Sequence, residues 1–176
     1  LVQYAAATLD DTYLQIAELG TATGQSAKAE ELTTQMKSDI DAAIAQVPAE
    51  AAGLTYFHEL DNTLYTVTSA TFIGSVYALA GLTNIADTAA YAASGYPQLS
   101  PEFLVDADPA IVFLADTKCC GQTAETLAQR PGFDGLSAIA NNSVVELDDD
   151  VASRWGPRTV DFVKAIVDGV LTVTAK

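Results

Sequence analysis

Basic groups are scarce in this chain. Lys and Arg together number 8 against 23 Asp and Glu, giving a formal net charge of −15. A face that neutralises nucleic-acid phosphates needs clustered cations, so nucleic acid is excluded as a partner. An anionic membrane surface is disfavoured for the same reason. No apolar run approaches the roughly 20 residues that span a bilayer. There is one histidine, His58, and one tryptophan, Trp155. A Gly-rich phosphate loop is missing. The two cysteines, Cys119 and Cys120, are adjacent, so neither a C-x-x-C zinc spacing nor a thioredoxin spacing exists. Neighbouring cysteines either close an eight-membered disulfide ring, stay as buried thiols or bridge to another chain. The chain opens Leu-Val-Gln without an initiator Met, a charged leader or an apolar leader core, which reads as a processed chain or a piece of something longer.

About half of the residues are apolar (49%), enough for a sizeable core in 176 residues. Residues 1–8 read as the tail of a strand or a linker. Thr8 then caps a helix whose first turn carries Asp10 and Asp11, where the helix dipole favours negative charge. Leu9, Tyr13, Ile16, Ala17 and Leu19 carry it to Gly20, and Gly24 marks a break. From Ser26 to Val47 the residues Ala29, Leu32, Met36, Ile40, Ala43, Ile44 and Val47 form one apolar stripe. That pattern predicts a long helix, ended by Pro48, that serves as a strut.

Three stretches read as strands: 54–60 (LTYFHEL), 110–116 (AIVFLAD) and 143–148 (SVVELD). Between them lie predicted helices: one capped by Thr68 or Ser69 and closed by Gly81, and a short one with Ser100 as N-cap and Pro101 at N1. Another begins at TAETLAQR, and a closing helix follows Pro157. TKCCGQ reads as a loop. Strands alternating with helices predict an α/β layer fold with a mainly parallel sheet. Ligands in such sheets bind beyond the carboxyl ends of the strands. Three loops make that edge: HELDN, DTKCCGQ and DDDVASRW. Two of the three arginines, Arg154 and Arg158, flank Trp155 at the last of them.

The order and spacing of several segments resemble the class III substrate-binding proteins of ABC importers, the family that takes up vitamin B12, haem and ferric siderophores. The segments are TLDDTYLQIAELGTATGQSAKAEELTTQMKSDI, GLTNIAD (81–87), YPQLSPEFLVDADPAIVFLAD (96–116), RPGFDGLSAIANNSVVELD (130–148) and RWGPR (154–158). The resemblance implies a two-lobed protein with a single long helix joining the lobes and a ligand cleft between them. Residues 1–50 would be the end of the first lobe and the linker helix. Residues 51–176 would be the C-terminal α/β lobe, three layers with helices flanking the sheet. The first lobe, a secretion signal and a lipoprotein cysteine would precede residue 1.

The resemblance further implies an extracytoplasmic, periplasmic or lipid-anchored protein that is not an enzyme. It would have no cofactor, a small-molecule chelate as ligand and a membrane permease as partner. The whole protein would be a monomer, and a truncated chain with an exposed half-cleft is expected to self-associate. Arg154 would offer a planar donor fork to ligand oxygen, unless it merely pairs with Asp148, Asp149 or Asp150. Trp155 would stack on the ligand, or instead dock the last helix. Tyr96 would line the pocket, or staple its helix. His58 and Glu59 would hydrogen-bond the ligand or each other. Lys118 would bind the ligand from the rim, beside the cysteines, whose disulfide would stiffen that rim or contact a flat ligand. Glu102, at N2 of its helix, complements the dipole and would dock with a permease arginine. Arg158 reads as a structural anchor. Two other readings compete. One is a metal-ion receptor or metal-dependent hydrolase using His58, Glu59 and Asp61. The other is a lobe without a ligand that acts as an interaction module.

Overall fold

A computed structural model describes residues 4–175. Residues 1–3 of the expected strand tail lie outside the described residues, and residues 4–6 take no regular secondary structure. Helix α1 (Leu9–Ala22) starts at a capping box: the Thr8 hydroxyl accepts from the Asp11 amide (3.2 Å) and the Asp11 carboxylate accepts from the Thr8 amide (2.9 Å). Gly24, at φ +69°, turns the chain into α2 (Ser26–Ile44). The two helices form a hairpin. Gly20 is required at its tight end, because a Cβ there would lie 2.4 Å from Ala29 Cβ. At the open end Lys37 sits over the Tyr13 ring, 4.7 Å from its centroid. Helix α2 is anchored along one side. Ala29, Met36, Ile40 and Ala43 are buried, and the helix packs along the closing helix, described below.

The strands are β1 (Thr55–Glu59), β2 (Thr83–Asn84), β3 (Ile111–Leu114) and β4 (Val144–Glu146). They pair in the order β2-β1-β3-β4, all parallel, with Phe57 opposite Val112 and Phe113 opposite Val145. Strand β2 was not predicted; it is only two residues long. Helix α3 (Phe72–Leu79) is capped by Thr71 rather than Thr68 or Ser69. Helix α4 (Pro101–Ala107) takes Ser100 as N-cap, as expected. The TKCC segment is not a loop but a helical turn, α5 (Thr117–Cys120). Helices α6 (Ala124–Ala128), α7 (Ser137–Ala140) and α8 (Asp149–Ala152) are short, and α9 (Thr159–Thr174) closes the chain.

Side-chain alternation along the strands builds two cores. Tyr56, Ile111 and Phe113 face α2, α3 and α9, and pack with Tyr77, Phe162 and Ile166. Phe57, Val112 and Leu114 face the other layer, with Leu104, Leu127, Phe133 and Leu136. Helices therefore cover both faces of a parallel sheet, the three-layer architecture expected.

Candidate functional site at the carboxyl edge of the sheet

Beyond β1 the chain forms a narrow ribbon. The Thr66 amide donates to the Pro97 carbonyl (3.0 Å), the Thr68 amide to Gly95 (2.9 Å) and the Leu99 amide to Leu64 (3.0 Å). Helix α3 begins against this ribbon, and Gly74 lies so close that a Cβ would be 2.0 Å from the Thr68 carbonyl oxygen. The Thr71 hydroxyl accepts from the Gly74 amide (3.0 Å). These contacts set Thr71 and Phe72 opposite Gly95 and Tyr96.

On the far side, β4 runs into α8 and then into Ser153, Arg154 and Trp155. The Trp155 ring meets Phe72 edge-on, with centroids 6.3 Å apart. A groove of about 400 Å³ lies between the two sides, lined by Thr71, Phe72, Ser94, Tyr96, Ser153 and Trp155, with alanines of segment 5–7 at one end. Two of the predicted ligand residues, Tyr96 and Trp155, thus share one groove. Tyr96 is 52% exposed and Trp155 44%, so each leaves about half its surface for a ligand. The lining carries no charged side chain among the described residues. Its chemistry is aromatic stacking and hydroxyl hydrogen bonding, on small residues that admit a broad surface.

Arg154 stands between two lining residues but pairs with Asp150 (3.0 Å), its side chain 72% exposed. Lys118 does not line the groove; it pairs with Asp148 on the rim. The third aspartate of the run, Asp149, accepts from the Lys118 amide (3.0 Å) and the Cys119 amide (2.7 Å). The Thr117 hydroxyl lies between the Leu147 carbonyl (2.6 Å) and the Asp149 carboxylate (3.0 Å). Cys119 and Cys120 are joined as a vicinal disulfide. Each aspartate of Asp148–Asp150 therefore holds something different: a lysine, a helical turn and an arginine.

Two predicted ligand contacts require correction. His58 is fully buried in the core, its Nδ1 2.7 Å from the Tyr77 hydroxyl, and its ring faces Phe162. Burial lowers its pKa to about 3, so it is neutral. Glu59 is also fully buried, in a two-pronged pair with Arg130 (both contacts 2.6 Å). Arg130 also donates to the Gln122 side-chain carbonyl (2.7 Å). Beside them Asp116 is enclosed, and neither carboxylate oxygen finds a hydrogen-bond partner among the described residues. Burial, with the nearby Glu59 charge, pushes its pKa up to about 7. Strand alternation explains the split: His58 points to one core and Glu59 to the other. Asp61 is spent locally, accepting from the Thr63 amide (2.8 Å). The His58, Glu59 and Asp61 metal or hydrolase site therefore does not assemble, and no metal-holding cluster exists among the described residues.

Glu102 is exposed in the first turn of α4, with its carboxyl held below the ordinary range by its own backbone amide and then by Ser100. Arg158 precedes α9 and stays off the groove lining. Sequence reasoning missed Thr71, Phe72, Ser94 and Ser153, which lack any distinguishing pattern. It also missed the role of Arg130, whose signal was its rarity.

The sequence profile of the family described as periplasmic binding protein matches residues 2–151. An uncharacterized ABC transporter substrate-binding lipoprotein, YvrC of Bacillus subtilis strain 168, is 26% identical over 175 residues, 97% of this chain and 53% of the relative. A cobalamin-binding protein of Halobacterium salinarum is 30% identical over 161 residues, 89% of this chain and 43% of the relative. The chain thus spans about half the length of the curated relatives it matches. Among solved structures, a possible iron-binding (periplasmic solute-binding) protein from Staphylococcus epidermidis superposes with a TM-score of 0.82 at 26% identity, over 97% of this chain and 65% of that one. Sequence and architecture agree: the chain belongs to the periplasmic binding protein family.

Proposed function

We propose that this chain is a ligand-binding part of the extracytoplasmic solute receptor of an ABC importer. Its ligand is an iron-siderophore, haem or cobalamin-type chelate. The observation that carries this reading is the uncharged groove between Tyr96 and Trp155, at the strand edge where parallel sheets take ligands. A bare metal ion is a poor match for that lining, which offers hydroxyls and ring faces rather than convergent ligands. A chelate with a broad apolar surface and a fringe of hydrogen-bonding groups suits it. Arg154 is free to exchange Asp150 for ligand oxygen, since an exposed ion pair contributes only about 0–1 kcal/mol. A relative whose name includes cobalamin binding, and another named as a substrate-binding lipoprotein, support the class.

On this reading residues 1–50 include the helix that joins two lobes, and 51–176 form one lobe. The protein releases its ligand unchanged and needs no cofactor. The exposed Glu102 docks onto a basic residue of the permease, where a surface charge pair sets orientation and association rate more than affinity. Equilibrium dialysis against ferric catecholates, ferric hydroxamates, haem, cobalamin and free iron tests the proposal. Saturable retention of one chelate, recovered chemically unchanged, is expected. Retention of free iron alone, or conversion of a chelate, would overturn it.

A further inference from the structure

The disulfide has no role in the groove, yet it occupies a prominent place on the rim. Both cysteines are exposed, and they are the only cysteines of the chain. They sit in α5, a single helical turn between the buried Asp116 and Gly121 (φ +69°). A four-residue helix does not persist by its own hydrogen bonds, because helix nucleation is unfavourable. Several ties hold this one: the Gly121 amide on the Thr117 carbonyl (2.9 Å), the Asp149 carboxylate on the amides of Lys118 and Cys119, the Thr117 hydroxyl on the Leu147 carbonyl and Asp149, the Lys118–Asp148 ion pair, and the disulfide ring. The same run of aspartates opens α8, which leads directly to Ser153, Arg154 and Trp155. A continuous path therefore joins the sulfurs to the tryptophan wall of the groove.

We propose that Cys119–Cys120 is a thiol–disulfide exchange site for small thiols, and that its redox state sets the order of the loop that carries Arg154 and Trp155. A thiolate attacks one of the two sulfurs, the S–S bond breaks and the other cysteine leaves as a thiolate. A second thiol attacks the mixed disulfide, releasing the external disulfide. Two thiols supply two electrons, and two protons end on Cys119 and Cys120. Opening the ring removes the one covalent tie on α5, loosens the grip of Asp149 and lets α8 and the loop after it move more freely. The net charge of −15 selects among the co-reactants. Cationic and neutral thiols approach more readily than anionic ones at low salt, and the difference fades as the Debye length falls to about 10 Å or less near 0.1 M salt. Exchange and loop coupling stand on their own; any effect on ligand affinity rests on the receptor reading above.

The test uses ligand-free protein under native conditions. Free thiols are counted before and after mild reduction, while Trp155 emission and amide exchange at Lys118 and Cys119 are followed. Zero thiols before and two after are expected, with far-UV dichroism unchanged. Trp155 emission should shift, and exchange at the two amides should rise about tenfold or more. Reoxidation should restore both. Cys119→Ser combined with Cys120→Ser should show the loosened state without reductant and ignore further thiol. Cysteamine should reduce the bond faster than 3-mercaptopropionate at low salt. The proposal is overturned if thiols appear only on unfolding, if they are present in oxidised protein, or if two thiols form with Trp155 and both amides unaffected. In a second arm, a chelate that saturates the oxidised protein should bind more weakly after reduction. If the first arm succeeds and no chelate binds in either state, the receptor reading fails and the exchange site stands.

Discussion

Two sets of opposite charges occupy the same carboxyl edge, one beneath the surface and one upon it. Glu59 and Arg130 meet in a network with Gln122, beside the enclosed Asp116, and Glu59 is wholly buried. Arg154 and Asp150 meet by one contact of 3.0 Å in solvent. The residue types are alike; the surroundings are not. The Arg130 guanidinium is half-buried and held by three contacts to fixed partners, one of them wholly buried. The exposed one has surrendered little and can change partner. The lower set is therefore scaffold, and the upper set is available for recognition.

Removing the lower arginine should have the largest effect. Arg130→Met leaves Glu59 as an uncompensated buried charge, and a loss of about 3–5 kcal/mol is expected from urea unfolding. Combining it with Glu59→Gln should recover much of that loss, because the stranded charge disappears as well. Failure of the double variant to recover would mean that the packing, and not the charge, is what the network supplies.

Acidification separates two buried groups next. Folding raises Asp116 from 3.8 to about 7. Its ionisation therefore opposes folding increasingly as pH rises from about 4 to 7, and below that range the penalty is absent. Folding lowers His58 from 6.5 to about 3. The stability tied to its neutral form is present above pH 6.5 and lost as pH falls toward 3. Between roughly pH 4 and 6.5 the two slopes oppose each other, each at most about 1.4 kcal/mol per pH unit. Asp116→Asn leaves the His58 slope alone. That variant should lose stability more steeply than the parent as pH falls through this range, read as midpoint shifts in urea. Parallel curves for the two proteins would show that Asp116 does not titrate there.

Smaller effects belong to the rim. Arg154→Ala should change stability by less than about 1 kcal/mol. It should weaken chelate binding, which distinguishes it from Arg130→Met by calorimetry. Glu102→Ala removes a first-turn anion from α4 and should lower the urea midpoint only slightly. Chelate affinity should be unchanged, while receptor-stimulated ATP hydrolysis by the permease complex should fall.

The contrast between scaffold and rim also marks how much was legible in the sequence. Strands β1, β3 and β4 announce themselves through runs such as Ile111–Leu114, since branched and aromatic residues suit a pleated, covered surface. Strand β2 has two residues and no run to read. Tyr96 and Trp155 were found by their place after predicted elements. That both would meet near Phe72 depends on the Thr66–Pro97 and Thr68–Gly95 ribbon contacts, which join segments far apart in the chain. The same holds for α5, whose turn is held by Asp149 from 30 residues away, and for Glu59, whose arginine is 71 residues distant. His58 and Glu59 were misread because HELDN was taken as an edge loop, whereas β1 runs through Glu59. Parity puts the two on opposite faces, and the expected parallel three-layer sheet already covers both. Local chemistry was readable; partners supplied across the fold were not.

The most direct measurement is the fluorescence of Trp155, the single tryptophan, during titration with the chelate retained in dialysis, corrected for absorbance and repeated in Tyr96→Ala. Contact in the groove predicts saturable quenching, with affinity reduced about fivefold or more when Tyr96 is truncated, since base-sized stacking surfaces are worth roughly 1–3 kcal/mol. Saturable binding that leaves Trp155 emission untouched, or that is indifferent to Tyr96, would contradict the assignment of the groove as the ligand contact.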